Sequence, residues 1–280
     1  MNVVTTIPEL HAQRKELPRL IGLVPTMGYL HEGHISLVHA AKSECASVVV
    51  SIFVNPTQFG PTEDLSNYPH DLERDLGLLE KAGVDLVWTP TTDLMYPQDY
   101  QTWVSVNELT RKLEAEMRPR HFQGVTTVVS KLFNAVQPDK AYFGQKDAQQ
   151  ATVIQRMVKD LNYNLDIIIC PIVREPDGLA MSSRNAYLNL DERKAATVLY
   201  RALQAAKQAY DSGVRDADVL RSTIMAVLDE ESLATTQYVS CADGSTLNEI
   251  EGDLDGLALL SMAVYIGKTR LIDNILIGGN

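Results

Sequence analysis

Cysteine is scarce: the 280 residues hold three, Cys45, Cys170 and Cys241, odd in number and without a C-x-x-C spacing. That excludes a disulfide framework and a thiolate zinc site, and it suits a reducing compartment. Positive charge is also short. Lys and Arg total 25 against 36 Asp and Glu, a formal net charge of −11. A general binder of nucleic acid or of anionic membranes depends on a basic surface and is excluded, so any phosphate site must be local. Long apolar runs are missing as well. Leu257–Ile266 falls far short of the ~20 residues a membrane span needs, and Met1–Pro8 has neither the basic nor the apolar region of a leader. Internal repeats and low-complexity tracts are absent. The expectation is a cytoplasmic protein with neither nucleic-acid nor membrane partners.

What is present belongs to a globular chain. Hydrophobic residues make up 45% and charged residues 22%, and a chain of this size buries roughly 73% of its surface without a staple. All six His, residues 11, 31, 34, 39, 70 and 121, fall in the first part of the sequence, and the acidic excess is denser after residue 185.

Leu20–Val24 is a short apolar run and Ser47–Val54 a second, rich in β-branched residues; both predict buried strands, and His34–Lys42 between them carries helical spacing. Strand, loop, helix and strand make a βαβ unit. The alternation continues: helix Asp71–Ala82, strand Val84–Trp88, helix Val125–Val136, strand Lys140–Phe143, helix Asp147–Leu161 and strand Leu165–Val173. This predicts an α/β fold with a doubly wound, Rossmann-like parallel sheet, whose ligands bind beyond the carboxyl ends of the strands. After about Asn185 the pattern changes. One long helix, Asp191–Asp211 with Asp191 as N-cap, and a second, Asp218–Asp229, precede β-like segments at Gln237–Cys241, Leu257–Ile266 and Leu271–Ile277. Helices followed by strands predict a smaller C-terminal α+β domain, with a boundary between Arg184 and Asp191.

Five segments carry candidate chemistry. Pro25–His34 follows the first predicted strand. Gly28 and Gly33 allow tight turns, and Gly33 and His34 open a helix whose free N–H groups favour an anion. His31 and His34, beside that terminus, are suited to donate to a phosphate oxygen as charge grows on it, or else are ordinary loop and first-turn polar residues. A metal reading is weaker, for lack of a third ligand at usable spacing. Asp177–Asn185 sets Ser182, Ser183 and Arg184 after a glycine turn, two hydroxyls and a forked cation suited to phosphates, or else a Ser-rich linker. Gly144–Gln150 offers Lys146 as a phosphate cation and Asp147 as a helix cap. Phe53–Gly60 places neutral amides at a strand end, suited to a hydroxy acid, or else forms a plain turn. Arg118–Gly124 is a basic loop, a solvated face by default, that would attract a polyanion.

In this order, Pro-Thr-Met-Gly-x-Leu-His-x-Gly-His, Phe-Val-Asn-Pro-x-Gln-Phe, Tyr-Phe-Gly-Gln-Lys-Asp and Met-Ser-Ser-Arg-Asn resemble the pantothenate synthetase family. That family lies in the HxGH nucleotidylyltransferase superfamily, related to class I aminoacyl-tRNA synthetases, and the resemblance spans essentially the whole chain. It implies an ATP-dependent ligase. ATP and (R)-pantoate give a pantoyl adenylate and pyrophosphate, and β-alanine then attacks the adenylate to give pantothenate and AMP. It implies that ATP contacts Met27, Gly28, Tyr29, Leu30, His31, Glu32, Gly33, His34, Gly144, Gln145, Lys146, Asp147, Val173, Met181, Ser182, Ser183 and Arg184. It implies catalytic roles for His34, His31, Lys146 and Arg184, with His34 read as a hydrogen-bond donor to phosphate. It also implies that Gln58 binds pantoate and β-alanine and that Gln150 is a second pantoate contact. Mg²⁺ and a homodimer are implied too, with no metal ligands assigned. Residues 1–185 become a Rossmann-like ATP- and pantoate-binding catalytic domain, and 186–280 a smaller α+β domain closing over the site.

The chain departs from the family pattern at His70, where Arg is expected, and at Arg120, where Gly is usual. Both concern loops outside the site set. Two other readings share some of these motifs: a superfamily member that leaves its nucleotidyl group on the product, and a nucleotide-binding module without turnover. A tRNA-charging enzyme is disfavoured by the acidic balance.

Overall fold

Apolar runs such as Ile21–Val24 and Val48–Val50 have no polar face to offer water, so they form strands covered on both sides. The computed structural model describes residues 1–60 and 65–279, which divide into two units. The first unit comprises Met1–Arg111, Ala115–Gln145 and Gln150–Pro171; the second comprises Lys112–Glu114, Lys146–Gln149 and Ile172–Asn280.

Up to Cys170 the α-helices and strands belong to the first unit, save for Glu114, Ala148 and Gln149, and chain order runs β1 (Asn2–Val4), α1 (Ile7–Glu16), β2 (Ile21–Thr26), α2 (Glu32–Glu44), β3 (Ser47–Ile52), α3 (Leu72–Lys81), β4 (Leu86–Trp88) and α4 (Thr92–Met95). It continues with α5 (Glu114–Met117), α6 (His121–Val136), β5 (Lys140–Gly144), α7 (Ala148–Asp160) and β6 (Asp166–Cys170). The six strands form one parallel sheet in the order β1-β4-β3-β2-β5-β6. Alternate residues feed two cores. Leu23, Val49 and Ala141 pack with Leu10, Val128, Phe133 and Ile154 of α1, α6 and α7. Val24, Val48, Val50 and Tyr142 pack with Val38, Ala41 and Leu79 of α2 and α3. Helices on both faces make the sheet doubly wound, as the sequence predicts. The strand order reverses between β2 and β5, and a ligand crevice is expected beyond their carboxyl ends, at Thr26 and Gly144.

The ends of the elements depart from the sequence reading. The sheet gains an edge strand, β1, whose three residues are too few to show a period. Helix α1 buries only Leu10, but Thr6 and Glu9 close a capping box at its start. Helix α6 begins at His121 instead of Val125. Its far end is satisfied from α1, where Arg14 donates to the carbonyls of Val136 (2.7 Å) and Gln137 (2.8 Å).

The second unit holds α8 (Leu190–Ala195), α9 (Val198–Asp211), α10 (Ala217–Leu228) and the strands β7 (Ala234–Asp243), β8 (Ala258–Ile266) and β9 (Thr269–Ile277). The strands form an antiparallel sheet in the order β7-β8-β9. Leu199, Leu203, Leu220 and Ile224 pack on Leu260, Met262 and Val264. The predicted single helix Asp191–Asp211 is two helices. Its N-cap is Asn189, not Asp191: Asn189 Oδ1 accepts from the N–H groups of Asp191 (3.0 Å) and Glu192 (2.9 Å), and Glu192 accepts from the Asn189 N–H (2.9 Å).

Residues 172–185, which the sequence reading gives to the first domain, group with the second unit, where both carboxylate oxygens of Asp273 in β9 accept from Arg174. Residues 112–114 join the same unit through Glu114, which accepts two bonds from Arg270 (2.7 and 2.8 Å) and one from Tyr238 (2.8 Å). All three cysteines are buried, Cys45 and Cys170 in the first unit and Cys241 in the second.

Candidate active site

The chain leaves β2 into the loop Met27–Leu30, and that loop has a built shape. Gly28 has φ +83°, and a Cβ there would stand 3.1 Å from Ile52 Cγ2 and 3.2 Å from Asp75 Oδ2, so glycine alone fits without strain. Tyr29 follows at φ +51°, a left-handed conformation that costs a non-glycine residue about 1 kcal/mol or more. Asp75 of α3 holds it there. Its carboxylate, 1% exposed, accepts from the N–H groups of Tyr29 and Leu30, both at 2.7 Å. Burial pushes the Asp75 pKa above the usual carboxylate range, while the Leu30 and Tyr29 N–H groups and Arg74 pull it back. Arg74 lies 3.5 Å from Asp75 and faces the Tyr29 ring at 5.4 Å.

The loop ends where α2 begins, with His31 as N-cap. His31 Nδ1 accepts from the Gly33 N–H (3.1 Å), and the His31 N–H donates to Nδ1 of His34 (3.3 Å). This is a capping box with imidazoles in both seats. A ring nitrogen that accepts a hydrogen bond carries no proton, so each neutral imidazole keeps its N–H at Nε2. The rings lie 4.1 Å apart and tilted by 41°.

Beyond β3 the segment Pro56–Gln58 forms a 3₁₀ turn. Gln58 is 9% exposed; its Nε2 donates to Met27 Sδ (2.9 Å), and its Oε1 accepts from Asn55 Nδ2 (3.2 Å). Asn55 also donates to the Gly124 carbonyl (3.1 Å) and accepts from Tyr96 (2.9 Å) and Thr57 (3.0 Å). The amide of Asn55 therefore supports the turn. His121 Nδ1 donates to the Gln58 carbonyl (2.9 Å), and Arg118 approaches both that carbonyl (3.4 Å) and His121 Nε2 (3.3 Å). Part of the predicted polyanion-attracting loop is thus anchored to the Gln58 backbone. Gly124 lets α6 approach: a Cβ there would stand 2.6 Å from the Thr57 carbonyl.

A cavity of about 310 Å³ opens beyond the ends of β2, β3 and β4, with Met27, Gly28, Phe53, His70, Asp75 and Thr91 among its lining residues. His70 thus sits on a cavity wall. Arg120 occupies the N-cap position of α6 and is exposed. Gly144 ends β5, Gln145 follows half-buried, and Gln150 lies half-buried on α7.

In the second unit, Lys146 lies 3.8 Å from Asp147, which is exposed. Gln149, grouped with Gln145 and Gln150 in the sequence motif, is structural: it donates to the Lys112 carbonyl (2.7 Å) and accepts from the Glu114 N–H (3.0 Å). Val173 accepts from the Met181 N–H (3.0 Å), and Arg174 bridges to Ala180 across the turn. Gly178 has φ +93° beneath the Tyr200 ring, and a Cβ would fall 2.0 Å from that ring. Ser182 then caps a 3₁₀ turn, Ser183–Tyr187, by accepting from the Arg184 N–H (3.3 Å). The structure thus joins Met27 to Gln58 and His31 to His34 in the first unit, and Val173 to Met181 in the second. Sequence reasoning missed Asp75, Arg174 and Asp273, whose contacts are long-range or lie outside the motifs that drew notice; Asn55, one of the neutral amides of Phe53–Gly60, supports the turn through its bonds to Gly124, Thr57, Gln58 and Tyr96.

Among the described residues, no group of three His, Cys, Asp or Glu side chains is arranged to hold a metal ion. No helix among them is long and apolar enough to cross a membrane.

The family model for pantoate-beta-alanine ligase matches residues 2–276 of the chain. A pantothenate synthetase of Roseiflexus castenholzii is 57% identical over 277 residues, 99% of each chain. One of Chloroflexus aurantiacus is 55% identical over 280 residues, covering 100% of this chain and 99% of its own. The crystal structure of pantothenate synthetase from Thermus thermophilus superposes with a TM-score of 0.94 at 46% identity, covering 98% of this chain and 99% of that one. A pantoate-beta-alanine ligase from Francisella tularensis, complexed with beta-gamma ATP and beta-alanine, gives a TM-score of 0.80 at 37% identity, over 99% and 97% of the two chains. Agreement of this extent, over the whole length and with the sequence motifs in place, shows that the chain belongs to the pantoate–β-alanine ligase family.

Proposed function

We infer that this enzyme joins (R)-pantoate to β-alanine with consumption of ATP and release of AMP and pyrophosphate. Full-length membership of the ligase family carries the reading, and a family member complexed with beta-gamma ATP and beta-alanine supports two of the substrates.

The chemistry runs through a pantoyl adenylate. A pantoate carboxylate oxygen forms a bond to the α-phosphorus, the bond from that phosphorus to the bridging oxygen breaks, and pyrophosphate leaves. The amine of β-alanine then attacks the acyl carbon. The carbon–oxygen bond to AMP breaks, and the amine gives up a proton as the amide forms. Activation is needed because a carboxylate is too poor an electrophile for an amine.

The first step brings anions together, and the residues proposed for it are donors and cations. Nε2–H of His31 and of His34, at the start of α2, would donate to phosphate oxygens as charge develops. Lys146 and Arg184 would supply compensating charge, Ser182 and Ser183 hydroxyl donors, and Met27–Gly33, Gly144, Gln145, Asp147, Val173 and Met181 the remaining nucleotide contacts. Gln58 and Gln150 would orient pantoate and β-alanine without adding charge. Mg²⁺, implied by the resemblance, would add compensating charge at the triphosphate when bound. A homodimer in the cytoplasm is the further expectation of the resemblance, and size-exclusion chromatography with light scattering checks the dimer.

The deciding experiment is an assay for AMP formation with pantoate and β-alanine omitted in turn, paired with exchange of labelled pyrophosphate into ATP. Exchange that requires pantoate, and AMP release that requires both acids, are expected. ATP binding without exchange would overturn the reading.

A further inference from the structure

Strand β9 carries two consecutive polar residues in its interior, Asp273 and Asn274, 2% and 3% exposed. Burying a carboxylate and an amide is costly unless each is fully paired, and apolar residues would serve packing alone as well or better. Both are paired, and what they hold is informative. Asp273 grips the guanidinium of Arg174 with both oxygens, at 2.6 and 2.9 Å, and accepts from the Asn274 N–H at 2.7 Å. Arg174 also donates to the Gly178 carbonyl (3.0 Å) and stacks on Tyr200 at 4.3 Å. It therefore fixes both arms of the turn that ends in Met181–Arg184. Asn274 Nδ2 donates to the peptide carbonyl of Lys146 at 2.8 Å.

Adjacent residues of one strand thus fasten two segments far apart in sequence, and these carry the Lys and the Ser-Ser-Arg assigned to the phosphates. Arg174 and Lys146 both face the Asp273 carboxylate electrostatically; burial raises its pKa and the two cations oppose that rise.

We propose that Asp273 and Asn274 are positioning residues for nucleotide phosphate binding: Asn274 sets Lys146 through its peptide carbonyl, and Asp273 sets Ser182–Arg184 through Arg174. The proposal rests on the ATP roles given to those segments above. Its physical basis is that a charged group misplaced by about 1 Å can cost up to a hundredfold in rate.

Asn274→Ala and Asn274→Asp, which puts a repelling oxygen against the Lys146 carbonyl, test it; Asp273→Asn is a third variant, more exposed to folding failure. Calorimetric titration with α,β-methylene-ATP reads binding directly. Pyrophosphate exchange reads adenylation, and attack of β-alanine on pre-formed pantoyl adenylate reads the second half-reaction. Asn274→Ala should weaken analogue binding and lower kcat/KM for ATP by at least about tenfold, with the second half-reaction kept within about threefold and Asn274→Asp worse than Asn274→Ala. Binding and exchange within about twofold of the unaltered enzyme, or equal loss in both half-reactions, would overturn the proposal. If the unaltered enzyme binds the analogue yet shows no pantoate-dependent exchange, the ligase reading falls and the titration still decides the positioning role.

Discussion

The His31 peptide N–H donates to Nδ1 of His34 at 3.3 Å, while Nδ1 of His31 is itself occupied by the Gly33 N–H. The helix cap therefore fixes the tautomer of both rings, and under the proposed function the same arrangement that caps the helix would aim both Nε2–H groups at the phosphates.

His31→Asn separates the two. Asn is among the best N-caps, so unfolding free energy should stay within about 1 kcal/mol of the unaltered protein. The Nε2–H donor is lost, and adenylation should fall by about 10²–10³-fold. His34→Ala should likewise reduce single-turnover adenylation by orders of magnitude with the fold intact. Near-normal adenylation in either variant contradicts the donor role, and ¹⁵N shifts of an acceptor Nδ1 in both rings would verify the tautomers.

Asp75 links loop geometry to acidity. Burial raises its pKa in the folded protein, so the fold binds this proton more tightly than the unfolded chain does. The ionised carboxylate thus costs stability above its folded pKa, and that cost is relieved as pH falls through it towards the ordinary carboxylate range. Activity should move the other way. A protonated Asp75 turns an O–H towards the Tyr29 and Leu30 amides, so adenylation should decline at a pH above the usual carboxylate titration. A ¹³C titration of the Asp75 carboxyl locates the step, and a pKa at or below that of a free Asp refutes it.

Asp243 should behave oppositely. The Thr246 N–H, then the hydroxyls of Ser245 and Thr246, hold its pKa down to about 2. Its contribution is complete above the unfolded carboxylate pKa and is lost as pH falls from about 4 to about 2. Melting temperatures across that range should drop more for the unaltered protein than for Asp243→Asn, and parallel curves would discount the turn.

Gly124→Ala probes the close approach of α6. The added Cβ would meet the Thr57 carbonyl at 2.6 Å and the Gln58 N–H nitrogen at 2.7 Å, and rigid backbone yields little. A loss of about 1–3 kcal/mol or more is expected, with the KM for pantoate raised more than that for ATP. Denaturant melts and substrate titrations check both; an unchanged KM for pantoate would detach the turn from that substrate.

The alternation of apolar strands and amphipathic helices was legible because period and β-branching are local, and so was the loop at the end of β2, where two glycines and two histidines fall within a few residues. Asn189 and Asp191 are both capping residues, and only the capping box with Glu192 singles out Asn189. The break between α8 and α9 leaves no proline or glycine to mark it. Asp75 meets a loop 45 residues away, and Asp273 an arginine 99 residues away. Nothing near either aspartate in the sequence hints at its partner.

The buried cysteines have a practical consequence. Burial raises the pKa of Cys170, and of Cys241 to about 11, so neither presents much thiolate at neutral pH. A thiol reagent must wait for the surrounding structure to open, and its rate then reports the frequency of that opening. Because Cys170 lies in one unit and Cys241 in the other, peptide-resolved alkylation would time the breathing of each unit separately, without a single engineered label.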